Sequence, residues 1–261
     1  MAELDVPLER LRFGQTARRD NWWVAPAATF IILGAFVVYA TWAAFQGVHY
    51  RFHNYLSPFY SPELIGDAAH AWFGAKPGWI PSWLPFTPAL LILWAPAGFR
   101  LTCYYYRGAY YKAFWADPPG CAVGEPRKTY WGERSLPLIL QNVHRFFLYL
   151  ALVFIVILAY DAWEAMWFAD GFGIGVGTLV LVANVVLLGC YTLGCHSLRH
   201  LVGGGTDTLS DKPVRKACYG CVSSLNRRHM VFAWMSLFGV ALSDVYVRLC
   251  SMGVIADLRI L

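Results

Sequence analysis

The chain has 261 residues, of which 58% are hydrophobic and only 14% are charged. Soluble domains carry roughly 25% charged residues, so this composition excludes an ordinary water-soluble fold and makes bilayer hydrocarbon the better solvent. The net charge of +5 is no signature of a nucleic-acid partner, because the basic residues are distributed loop by loop.

The first twenty residues are polar and hold Arg10, Arg12, Arg18 and Arg19, with no apolar core before Trp22. No cleavable leader is expected there. Five apolar segments then follow, at about 22–46, 86–107, 137–162, 174–200 and 229–250. Each reaches the roughly 20 residues that a spanning helix needs. The first opens on Asn21-Trp22-Trp23, an interfacial anchor. The second contains Pro88 and Pro96, which a membrane helix tolerates when neighbours satisfy the freed carbonyls. The third begins at Pro137, a good first-turn residue. The fourth opens on a Gly-rich run and stops at Gly203-Gly204-Gly205. The fifth has Asn226 as its expected N-cap. The 47–85 loop, rich in Pro and Trp, is expected to fold along the membrane interface.

These segments predict an all-α membrane protein, a bundle of about five transmembrane helices forming one domain over 1–261. Lys and Arg crowd the N-terminal arm, the 107–136 loop and the 199–228 stretch, while the 47–85 loop has only Arg51 and Lys76. The positive-inside rule then places the N-terminus in the cytoplasm and the C-terminus outside a plasma membrane. By this topology only Cys250 of the seven cysteines falls on the outer side. The remaining thiols are metal ligands or core residues rather than disulfides.

One stretch carries chemistry: Cys190, then Cys195-His196-Ser197-Leu198-Arg199-His200, and after a glycine-rich turn Cys218-Tyr219-Gly220-Cys221. His196 and His200 are four apart, which puts both imidazoles on one helix face. Cys218 and Cys221 have the gap that lets two thiolates chelate one metal. Two histidines with two cysteines suit zinc or a Rieske-type 2Fe-2S centre, in which one iron takes thiolates and the other imidazoles. Cys195 is the reserve ligand. The soluble Rieske spacing, Cys-x-His with Cys-x-x-His, is not present.

Other residues are less specific. His144 and Arg145, at the inner end of the third segment, and Trp131 in the preceding loop are candidates to line a quinone cavity; His144 also suits a haem or a place at the headgroups. His229 reads as interfacial, and His49 with His53 as a solvated face. Asp161 and Asp244 lie in the outer parts of the third and fifth segments. They are proton-relay candidates or helix-end residues; Arg248, four after Asp244, could pair with it.

The chain resembles the actinobacterial, mycobacterial-type membrane anchor of succinate dehydrogenase, respiratory complex II. The resemblance is carried by Cys195–His200 as quoted, Gly203-Gly204, Leu225-Asn226-Arg227-Arg228-His229-Met230 and Ser243-Asp244-Val245-Tyr246-Val247-Arg248-Leu249. It implies a five-helix anchor that docks a flavoprotein and an iron-sulfur subunit on its cytoplasmic face, in a complex of higher oligomeric order. It implies quinone chemistry there, with menaquinone, and a Rieske-type cluster where other anchors hold haem b or nothing. The chain itself has neither a flavin motif nor a multi-cysteine ferredoxin pattern, so the succinate site lies elsewhere. The alternatives are a haem b anchor and a scaffold with a structural zinc joining the 201–228 loop to the fourth helix.

Overall fold

The computed structural model describes residues 11–66, 71–81, 83, 86–128, 135, 136 and 138–261. They fall into two compact units, one of Met1–Val37 with Cys103–Gln141 and one of Val38–Thr102 with Asn142–Leu261.

Among the described residues four helices are long and apolar enough to cross a membrane: α1 (Val24–Gln46), α5 (His144–Glu164, preceded by a 3-10 turn), α6 (Val176–Leu193) and α9 (His229–Ser251). At 1.5 Å per residue even α6, with 18 residues, is about 27 Å long and matches the hydrocarbon thickness. Large apolar side chains stay uncovered on them, Val38 by 71% and Val156 by 70%, as suits helices built to face hydrocarbon rather than water.

The expected second span, 86–107, is broken into α2 (Pro88–Ile92), α3 (Trp94–Thr102) and α4 (Tyr104–Tyr110), which widens into a π turn at Tyr111–Trp115. Pro96 has no N–H to give the carbonyl of Ile92, which ends the first piece. Cys103 is extended, with φ −63° and ψ 130°, which ends the second. The expected fourth span, 174–200, is also broken. α6 stops at Leu193, Cys195 is extended (φ −64°, ψ 138°), and a separate helix α7 runs His196–Gly203. The stretch read as a loop contains α8 (Pro213–Arg227), which starts on a proline in its first turn. Asn226 lies inside α8 and does not cap α9. Its Nδ2 donates to the carbonyl of Gly194 at 2.8 Å and satisfies the end of α6. A Cβ at Gly194 would meet the Cys190 oxygen at 2.8 Å and the Leu225 carbonyl at 3.2 Å. Glycine thus lets the chain turn there.

In the larger unit α6 packs on α9 and α5, α3 packs on α5, and α7 packs on α8. Gly98 lets α3 approach α5: a Cβ there would lie 2.2 Å from the Phe147 ring. At the far end from α7, a hairpin of β1 (Arg51–Phe52) and β2 (Tyr55–Leu56) leads into a segment that fills the bundle. Ser57, Phe59, Tyr60, Ser61 and Glu63 are all buried. This corrects the expectation of a loop lying wholly along the interface. Its aromatic and hydroxyl side chains have bundle partners, whereas Trp72, Phe73, Trp79 and Trp83 further on are exposed. A second hairpin, β3 (Trp167–Phe168) with β4 (Gly171–Phe172), joins α5 to α6.

In the smaller unit the N-terminal arm pairs with the 121–124 turn. Gly14 donates to Gly124 at 3.0 Å, and Gly124 donates to Gln15 at 2.9 Å. A Cβ on Gly124 would sit 1.9 Å from the Arg12 carbonyl oxygen, so only glycine permits that approach.

Candidate functional site

His196 opens α7, and one turn later His200 brings its Nε2 to 3.0 Å from the Nε2 of His196. Both residues are exposed. Desolvation first, then the neighbouring His200 and Arg199, holds His196 below the usual histidine range. It therefore favours the neutral form, which can offer a nitrogen lone pair.

α8 holds α7 in place. The Arg199 guanidinium lies 5.1 Å over the Tyr219 ring and donates to Ser223 Oγ at 3.0 Å. Gly203 leaves room for the same ring, since a Cβ would be 2.6 Å from it. Arg215 donates to the carbonyl of Val202 at 2.6 Å and to that of Gly204, so it caps the C-terminus of α7. Cys218 and Cys221 are exposed on α8, one turn apart. Among the described residues no three His, Cys, Asp or Glu side chains converge as a metal site. The histidine pair and the cysteine pair stand as two pairs on adjacent helices.

A second cluster is buried beside them. His144 is the first residue of α5, and its Nδ1 lies 2.8 Å from the hydroxyl of Thr102, the last residue of α3. Its Nε2 lies 3.1 Å from Sγ of Cys195. One imidazole thus bridges the break after α3 and the break after α6. Phe99 stacks on it with centroids 4.8 Å apart and planes at 8°. Tyr191 meets Phe99 edge-on at 5.4 Å and stacks on His229 at 4.9 Å. Arg100 lies 4.8 Å over Tyr191 and donates to Ser236 Oγ at 3.0 Å and to the Ala233 carbonyl at 3.3 Å. The first residues of α5 and α9, His144 and His229, are thus linked through two aromatic rings. Arg145 is exposed next to His144. Trp131 lies outside the described residues.

Asp161 and Asp244 are at the other end of the larger unit. Asp244 is fully buried and takes Arg248 Nε at 2.7 Å, Tyr39 hydroxyl at 2.5 Å and the Ser57 hydroxyl. Arg248 also donates to the carbonyls of Ala43 at 3.0 Å and Val48 at 2.9 Å. Asp161 accepts from Ser61.

Sequence reasoning missed Phe99, Thr102, Tyr191 and Arg100, and it read His229 only as interfacial. Arg100 was legible: a cation inside an apolar segment is a functional-site signal by default. The meeting of His144 with Cys195, 51 residues apart, has no local signature.

The profile of the actinobacterial succinate dehydrogenase subunit SdhC matches residues 24–253. Among solved structures, the chain is similar to one from the Mycobacterium smegmatis Sdh1 complex in the apo form. The identity is 44%, 97% of each chain is covered and the TM-score is 0.87. No curated relative matches the chain.

Proposed function

The chain belongs to the actinobacterial SdhC family of succinate dehydrogenase membrane anchors, and from that premise we propose that it carries electrons from its soluble partners to a quinone through a Rieske-type 2Fe-2S centre. The observation that carries this reading is the His196–His200 pair, two imidazole nitrogens 3.0 Å apart on one short helix. Such a pair fits the imidazole half of the centre. Cys218 and Cys221, on the helix packed against it, supply the thiolate half, with Cys195 in reserve. When bound, the centre supplies a one-electron carrier whose imidazole ligation raises its potential above that of an all-thiolate cluster.

The chain's own residues have definable tasks. Arg199, Ser223, Tyr219 and Arg215 fix α7 on α8 and so hold the imidazole pair in one orientation. The exposed face of α7 and α8, with Lys212, Lys216 and Arg227, offers positive charge to the iron-sulfur partner. The similar Mycobacterium smegmatis chain is part of a complex, which supports association with flavoprotein and iron-sulfur subunits. A quinone, with menaquinone the expected species, binds at the same end. Arg145 is the exposed donor there, while both nitrogens of His144 already face Thr102 and Cys195.

A second ligand set is favoured by one observation: the buried Cys195 thiol lies 3.1 Å from an imidazole nitrogen of His144. EPR of the reduced complex, with iron and acid-labile sulfide counted per anchor, tests both sets. Loss of the signal in His196→Ala with His200→Ala, and its survival in Cys195→Ser, supports the first. The reverse pattern supports the buried set. A sharp reduced-haem band in the visible spectrum, or zinc without iron and sulfide, removes the iron-sulfur reading altogether. Haem b is the weaker rival, because the Nε2 of His144 faces a thiol and has no open side for a porphyrin.

A further inference from the structure

Asp161 lies 17 residues beyond His144 on α5, about 26 Å along the axis at 1.5 Å per residue. It is thus close to one hydrocarbon thickness away from the redox residues, and independent of them. A cavity of about 390 Å³ sits there. Its apolar wall includes Val156, Ile157 and Leu56, and its polar wall holds Asp161, Glu164 and Glu63. Val156 and Tyr160, at its edge, are 70% and 60% exposed and belong to the uncovered stripe of α5. The cavity therefore borders the surface that lipid covers.

The three carboxyl groups are not equivalent. Glu63 is matched inside the protein: Arg51 lies 3.2 Å from its Oε2, and the Tyr50 hydroxyl donates to its Oε1 at 2.9 Å. Among the described residues Asp161 accepts from the Ser61 hydroxyl and Glu164 from Tyr160. Among the described residues neither of these two forms an ion pair. Carboxylates beside lipid are costly until a cation or water meets them. A bare metal ion or a small free amine would use the carboxylates and leave the apolar wall unused. A quinone carbonyl needs donors, and this polar wall consists mainly of acceptors. An amphiphile with an ammonium head matches both walls. Trp72, also in the lining and more than half exposed, has the amphipathic ring that suits the headgroup level.

We infer that this cavity binds the headgroup of an aminophospholipid, with its ammonium on Asp161 and Glu164 and its apolar stem along Val156 and Ile157. The ammonium donates up to three hydrogen bonds, charge-assisted at both carboxylates. A trimethylated headgroup carries the same charge but no N–H, so it should bind less well.

The test uses the whole complex, delipidated and reconstituted in phosphatidylglycerol nanodiscs that carry a minority of phosphatidylethanolamine. Native mass spectrometry after release reads which lipid stays bound. Selective retention of phosphatidylethanolamine over both phosphatidylglycerol and phosphatidylcholine is the expected result. Asp161→Asn with Glu164→Gln should lower that retention about tenfold or more, the equivalent of one lost charge-assisted hydrogen bond. Val156→Trp, which fills the cavity and keeps the carboxyl groups, should do the same, and it decides the question if the double variant does not assemble. Free ethanolamine should not displace the lipid. Equal retention of phosphatidylglycerol, retention unchanged in Val156→Trp, or displacement by free ethanolamine would each overturn the inference. So would a double variant that slows turnover against a proton gradient while keeping its lipid.

Discussion

The two ends of the larger unit solve the same problem in opposite ways. At the far end, apart from Asp161 and Glu164, the charged groups in an apolar setting find their partners within the chain. Asp244 meets Arg248, Glu63 meets Arg51, and Asp257 takes Tyr55 at 2.7 Å, Tyr246 at 2.6 Å and the backbone N–H of Gly177 at 2.9 Å. At the near end the helices stop short, at Thr102 and Leu193. Imidazoles and thiols gather there, and part of them, on α7 and α8, stays exposed. Backbone and side-chain polar groups in hydrocarbon must be satisfied somewhere. One end does so internally and is a clasp. The other leaves its donors facing outward, where a bound group and partner subunits can use them.

That contrast can be broken most severely at the clasp. Arg248→Ala leaves a buried Asp244 without its cation and should cost about 3–5 kcal/mol, read as a large fall in the apparent Tm of the complex. Asp244→Leu with Arg248→Met removes both charges and should recover part of that loss. Next in size is the packing that brings α3 onto α5. Gly98→Val drives side-chain atoms into the Phe147 ring and should cost about 1–3 kcal/mol, with loss of assembled complex at lower temperature. A smaller loss is expected from Tyr55→Phe, which removes one hydrogen bond to Asp257 and should cost about 1 kcal/mol. The last test sharpens the comparison without depending on stability. In the apo protein a maleimide should label Cys218 and Cys221 readily and leave Cys195, 1% exposed, unlabelled. His144→Ala should open Cys195 to the reagent while Cys218 and Cys221 label as before. Labelling of Cys195 in the unaltered protein would contradict its burial against His144.

Much of this architecture was legible because hydrocarbon demands a simple pattern. Runs of apolar residues located α1, α5, α6 and α9, the first and last of them to within two residues at each end, and the i,i+4 spacing of Asp244 with Arg248 allowed their pairing as one of two readings. The breaks were not legible. Apolar character runs on through Leu93, Cys103 and Cys195, so hydropathy joins pieces that the backbone separates. At Cys195 the turn depends on Gly194 meeting the end of α8 and on Asn226 reaching back to it, contacts between residues 32 apart in sequence. The buried segment 55–63 was misread for a related reason. Its Tyr, Ser and Glu residues look interfacial by composition, and only their bundle partners show that they fill it. At the candidate site, the His196–His200 contact followed from helical spacing alone. The bridge from Thr102 through His144 to Cys195 needed three segments at once.

The reach of Arg248 has a consequence for the order of assembly. It donates to the carbonyls of Val48 and Ala43, 200 and 205 residues earlier in the chain. Translation proceeds at about 5–20 residues per second, so roughly 10 to 40 s separate the two partners on the ribosome. During that interval the end of α1 is already made while its partner in α9 is still unsynthesised. Every nascent chain therefore passes through a stage in which the first helix is unclasped. The bundle can lock only when the last spanning helix arrives.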